Sequence, residues 1–264
     1  MATSQFTKIL GGFLFATLIA TGCGKTEDPA PARVAPPVAS SVAPAAATPA
    51  AATSKAFVVA DEGSATFLID APLEKIKGTA TKFRGNLQVD PAKLSATKGQ
   101  IDVDLKTLKT STFDDAEKNA KQTEHAQNWF ELGNDVEAKQ REENQWARFT
   151  IRSVKVTGPE NLAEIKEADG ARTVEVMAEG DLWIHGASIA KTAKLSITFK
   201  GPPDAPTTVQ IKTVEAFPVS LKEHGVMPRD VAGKFLQGTL EKIGQKIDDK
   251  VQVSLDFKAT PKAQ

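Results

Sequence analysis

Apolar and polar residues alternate with a period of two through most of residues 56–258, the signature of strands with one buried and one wet face. The alternation is cleanest at residues 101–106 (IDVDLK), 195–200 (LSITFK) and 251–258 (VQVSLDFK). It also predicts strands at 65–70, 83–90, 149–156, 173–185, 208–213 and 217–221, so eight or nine are available. Between Ile151 and Val154 the apolar phase slips, which predicts a bulge near Ser153. Two stretches break the rule. Residues 114–128 are polar and rich in Ala, Glu, Lys and Gln, and predict a helix capped by Asp114 or Asp115. In residues 228–248, Val231, Phe235, Leu236, Leu240, Ile243 and Ile247 recur at spacings of three to five, which predicts an amphipathic helix.

So many strands without alternating helices exclude a parallel α/β sheet and leave an all-β antiparallel barrel or sandwich. Closure is favoured, because a strand of about 13 residues at 173–185 is too long to leave as an exposed edge. One face of that strand is Val174, Val176, Ala178, Gly180, Leu182 and Ile184, apolar but with little side-chain volume at its middle; Gly85 and Ala65 thin other apolar faces in the same way. Small residues at the centre of a greasy interior either let the wall bend or leave room for a ligand.

Residues 1–22 read as an export signal, with Lys8 followed by a nearly unbroken apolar run from Ile9 to Ala20. Ala20-Thr21-Gly22-Cys23 resembles the lipobox of bacterial lipoproteins, with Ala20 where a leucine is more usual. The resemblance implies cleavage before Cys23, acylation of that cysteine and stable membrane anchoring, since two or more acyl chains hold where one is marginal. In the sorting rule that goes with it, Asp after the cysteine marks inner-membrane retention; Gly24 therefore implies the outer membrane, facing the periplasm. Residues 23–55 form a tether: 11 of the 24 residues at 29–52 are Ala and 6 are Pro. A polyproline-type chain of that length reaches on the order of 75 Å. The folded domain then spans 56–258, and 259–264 are a tail.

Charge is balanced, with 33 basic against 33 acidic residues, which argues against a nucleic-acid partner. The single cysteine excludes a disulfide framework and a cysteine-based metal cluster. There are 13 Phe, 3 Trp and no Tyr, so the aromatic mass is apolar and must be buried or line something greasy.

Five blocks stand in order along the chain: residues 78–90 (GTATKFRGNLQVD), the 101–106 strand leading to Leu108-Lys109-Thr110, the Trp129-Phe130 pair, residues 146–153 (WARFTIRS) and residues 180–186 (GDLWIHG). Together they resemble the blocks of YceI-like polyisoprenoid-binding proteins over nearly all of 56–258. Trp146 stands where that pattern commonly has a proline, and 159–171 and 201–206 are longer loops. The resemblance implies a lipocalin-like closed antiparallel β-barrel of about eight strands with one or two short helices. It further implies an elongated apolar cavity holding an isoprenoid chain, no catalysis, and Trp129-Phe130 as a lid over the cavity mouth.

Polar chemistry is sparse. His125, His185 and His224 form no metal-binding spacing, and no G-x-S-x-G nucleophile motif occurs, so neither a metal, a cofactor nor an enzyme is expected. His185 and His224 read as solvated turn residues, and Asp102 and Asp104 as solvated charges on the wet face of their strand. The candidate lipid-binding residues are the inward-facing Phe67, Phe83, Leu87, Val103, Phe149, Ile197 and Phe199, with Gly180 as the source of space. Two functions follow: a non-enzymatic carrier or store of a long apolar lipid, polyisoprenoid or quinone-like, or a ligand-free lipoprotein serving adhesion, envelope stress or assembly.

Overall fold

A computed structural model describes residues 54–70, 75–227 and 250–263. The strands are β1 (Lys55–Asp70), β2 (Lys75–Val89), β3 (Lys98–Asp104), β4 (Lys109–Thr110), β5 (Trp146–Thr157) and β6 (Glu167–Ala168). They continue with β7 (Ala171–Ile184), β8 (Ala187–Lys200), β9 (Thr208–Thr213), β10 (Phe217–Ser220) and β11 (Lys250–Pro261). Two α-helices, α1 (Ala116–Trp129) and α2 (Ala138–Asn144), lie between β4 and β5. Eight strands pair in the order β1-β11-β9-β8-β7-β5-β3-β2, all antiparallel, and β2 pairs back to β1. The eight strands therefore close into a barrel, which pairs the long 171–184 strand on both sides. Strands β4, β6 and β10 are short additions on β2, β7 and β11.

The phase slip at Ser153 is a register shift between Ile151 and Ser153 on β5 against β7. A second irregularity lies on β1 between Val59 and Gly63. At Gly63 a side chain has no room, since a Cβ would stand 2.8 Å from the Phe83 ring. That ring stacks on Phe257 with centroids 5.4 Å apart. β1 begins at Lys55 and β11 runs to Pro261, where Phe57 pairs with Pro261. The barrel thus takes in residues 259–261, which the alternation alone had left in a tail.

Helix α1 starts where its cap dictates: Asp115 Oδ1 accepts from the backbone N–H groups of Glu117 and Lys118 at 2.9 and 3.1 Å. Helix α2 has no counterpart among the sequence expectations. Its seven residues carry no apolar stripe, and its one buried residue, Asn144, donates to Glu131 Oε2 at 3.1 Å. The amphipathic helix expected at 228–248 lies outside the described residues, as do the export signal, Cys23 and the tether to residue 53.

A candidate ligand cavity

The inward faces enclose a cavity of about 360 Å³, within the range of small-molecule sites. Its wall is almost wholly apolar and draws on every barrel strand, on β10 and on one side of α1. Phe67, Phe149, Leu195, Ile197 and Leu255 face it, and although they point into the barrel they are only half-buried. Apolar side chains left partly exposed inside a barrel are the mark of a hollow interior, unlike a jigsaw-packed core.

Of the residues singled out from sequence, Phe67, Leu87, Val103, Phe149, Ile197 and Phe199 line the cavity. Phe83 and Gly180 do not. Phe83 is buried in the wall between Gly63 and Phe257. Gly180 is filled from the neighbouring strand: a Cβ there would stand 2.5 Å from Phe149 Cζ and closer still to the Thr150 carbonyl oxygen. Gly85 likewise serves a close approach, because a Cβ at its φ of 147° would collide with the Gln100 carbonyl oxygen. Small residues that do border the cavity include Ala178 and Ala193, which pair across β7 and β8.

Trp129 and Phe130, at the end of α1, line the cavity and pack on a second apolar cluster. That cluster comprises Leu105, Leu132, Leu182, Ile184, Val219 and Val226. The aromatic pair therefore closes part of one end of the hollow.

The polar lining residues are Thr66, Thr97, Gln122, His125 and Lys191, and sequence reasoning placed none of them there. For Lys191 a signal existed. Phe199, Ile197, Leu195 and Ala193 step by two along β8, and the next step is Lys191. The polar run Lys191, Thr192 and Lys194 hid it, so the strand was expected to start only at 195.

Outside the cavity, three expectations are corrected. Asp102 does point outward, but its side chain is only 2% exposed: it bonds Arg84 Nε and Arg148 Nε, each at 3.0 Å. The three residues are directly opposed across β2, β3 and β5, so neighbouring cations cover the carboxylate. Arg84 in turn lies over the Trp146 ring at 3.6 Å. His185 occupies the β7–β8 turn as expected, with φ of 50°, yet it is buried, with Nε2 3.2 Å from Glu131 Oε2. His224 is 0% exposed. Its Nδ1 lies 3.3 Å from the Ala187 carbonyl oxygen, and burial holds its pKa down to about 4. Among the described residues no group of three or more His, Cys, Asp or Glu side chains is placed to hold a metal ion.

A closed antiparallel eight-stranded barrel around an apolar hollow, with a helix across one end, defines a binding fold whose chemistry lies in its interior surface. The YceI-like domain family matches residues 54–259, and the chain belongs to that family. Among solved structures it is similar to BcnA of Burkholderia cenocepacia, at 15% identity and TM-score 0.47, covering 75% of this chain and 96% of that one. It is also similar to a polyisoprenoid binding domain from Saccharophagus degradans implicated in plant cell wall breakdown, at 14% identity and TM-score 0.49, covering 79% and 99%. A YCEI protein of Campylobacter jejuni follows at 13% identity and TM-score 0.38, covering 71% and 85%. Comparison with curated proteins finds no significant match.

Proposed function

We propose that the barrel binds, stores or carries a long apolar lipid, polyisoprenoid or quinone-like, without catalysing a reaction on it. The observation that carries this reading is the hollow interior, in which Phe67, Leu195, Ile197 and Leu255 stay half-exposed on an inward face. Covering such surface is worth about 25 cal/mol per Å², so a chain burying several hundred Å² gains several kcal/mol without a specific polar contact. The name of the Saccharophagus degradans domain points to the same ligand class. In this reading acylated Cys23 and the Ala/Pro tether hold the barrel on the periplasmic face of a bacterial membrane, the outer one by the Gly24 rule.

Native mass spectrometry of the purified protein, followed by organic extraction, tests the proposal. A bound species of lipid mass, released with the denatured chain and reloadable into the stripped protein, is the expected result. A barrel that purifies empty and takes up no isoprenoid or quinone from vesicles overturns it.

A further inference from the structure

Among the described residues the lining carries one lysine and no carboxylate. Lys191 lies directly opposite Gly180 in the β7–β8 pairing, on the same inward row as Ala193, Leu195, Ile197 and Phe199. Its side chain is 18% exposed, and its ion partner among the described residues is Glu223 at 3.9 Å, beyond hydrogen-bond distance. The Glu223 carboxylate is itself 57% exposed and shared with solvent, which dilutes its hold on the lysine. The ammonium of a lysine that lines an apolar hollow is best met by an anion or water, and Glu223 at 3.9 Å leaves this one N–H donors to offer. Its position is also specific. Glu223 follows two residues after the lining Leu221, at the end of the barrel opposite the core layer of Phe57, Val89 and Ala259. A charge at one end of a greasy tunnel sorts ligands by their termini, since the tail is read by area and the head by sign.

We propose that Lys191 is a specificity-determining residue, selecting single-chain amphiphiles whose terminus is an oxyanion, carboxylate or phosphate, with the tail lying along the Ala178–Ala193 hollow. This rests on the reading of the cavity as a lipid site and narrows it from any apolar chain to an anionic one. Glu223 competes for the same ammonium and tempers the selection. Arg at position 191 preserves it, and a neutral side chain of similar length does not.

The test uses the full chain, stripped of lipid and loaded with the neutral dye N-phenyl-1-naphthylamine, and titrated with oleate, oleyl phosphate and oleyl alcohol, which share one tail. Both anions should displace the dye at least about tenfold better than the alcohol, a difference of ~1.4 kcal/mol. Lys191→Met should erase that preference, bringing the anions' displacement down to that of the alcohol measured on the same variant, and Lys191→Arg should keep it. Glu223→Gln, at an exposed position, should widen it. A preference between the two anions tells carboxylate from phosphate recognition and supports the proposal either way. Equal displacement by anions and alcohol in the unmodified chain overturns the proposal without needing any variant to fold, as does a Lys191→Met protein that keeps the preference. If none of the three displaces the dye, the lipid-site reading falls and this inference falls with it.

Discussion

The Phe149 ring lies across Gly180 on the adjacent strand, so close that a methyl group at position 180 would stand 2.5 Å from its Cζ. The glycine makes room for an aromatic side chain that itself lines the cavity. Gly180→Ala should therefore destabilise the barrel by about 1–3 kcal/mol, because the Thr150 carbonyl on the other side is backbone and cannot swing away. Gly180→Leu should prevent folding. Urea melts followed by tryptophan fluorescence check this; an unchanged midpoint for Gly180→Ala would mean that Phe149 has somewhere else to go.

Ala178 and Ala193 behave oppositely. Both line the hollow from paired positions while being covered themselves, at 1% and 6% exposed, so a larger side chain there extends into the space a ligand would use. Ala193→Leu should lower the lipid extracted per mole of protein severalfold, with a melting midpoint equal to or above that of the parent, since filling a cavity is a common route to about 0.5–2 kcal/mol of added stability. Lipid content undiminished in a folded Ala193→Leu protein would place the ligand elsewhere.

These two positions also show where sequence reading stops. Period-two alternation located part of every barrel strand, because a strand with one wet face writes its register into composition, but it missed the first halves of β1, β2 and β8. It could not tell which small residue on an inward face borders the hollow, since that depends on which side chain of the neighbouring strand leans over it. Asp102 was correctly assigned to the outer face and wrongly assigned to water, because the two arginines that cover it come from β2 and β5 and align only once the strands pair. His185 was correctly placed in a turn, and the residue that buries it against charge, Glu131, belongs to the distant helical segment. Helix α2 had no legible pattern at all, its docking resting on Asn144 rather than on an apolar face. Lys191 was legible in register but not in local composition.

The Arg84–Asp102–Arg148 cluster gives a stability prediction. Removing a buried carboxylate leaves two guanidinium groups facing each other, of which Arg148 is mostly buried and Arg84 half-exposed. Asp102→Ala should cost about 2–3 kcal/mol, below the full penalty of a broken buried pair because Arg84 can turn to water. Asp102→Asn, which keeps the shape and some acceptors, should cost less. Chemical denaturation of the two variants checks the order.

The anchor proposed at Cys23 predicts a change of fraction. Cys23 is the chain's one cysteine, so Cys23→Ala leaves no thiol to acylate. The variant should lose detergent partitioning and metabolic labelling by palmitate, and should collect as soluble or unprocessed protein. Parent protein recovered without acyl groups from the soluble fraction would remove the anchor from the proposed function and leave the barrel's cavity untouched.

His224 gives the pH dependence. Burial drives its pKa down from 6.5 to about 4; Lys191 pushes the same way, while the Ala187 and Ile184 backbone contacts and Glu223 oppose it. In the unfolded chain the imidazole protonates near 6.5, so between pH 6.5 and 4 the unfolded state binds the proton and the folded state does not. Stability should therefore be highest above pH 6.5, fall as the pH drops through that window, and level off below 4 once both states carry the charge. A gap of that size corresponds to a loss on the order of 3 kcal/mol. His224→Gln removes the titrating group and should flatten this part of the profile, even if it lowers stability at neutral pH through imperfect packing. Urea midpoints measured every half unit from pH 7.5 to 4 decide the matter: a parent and a variant whose curves run parallel would show that His224 is already solvated or already charged in the folded barrel.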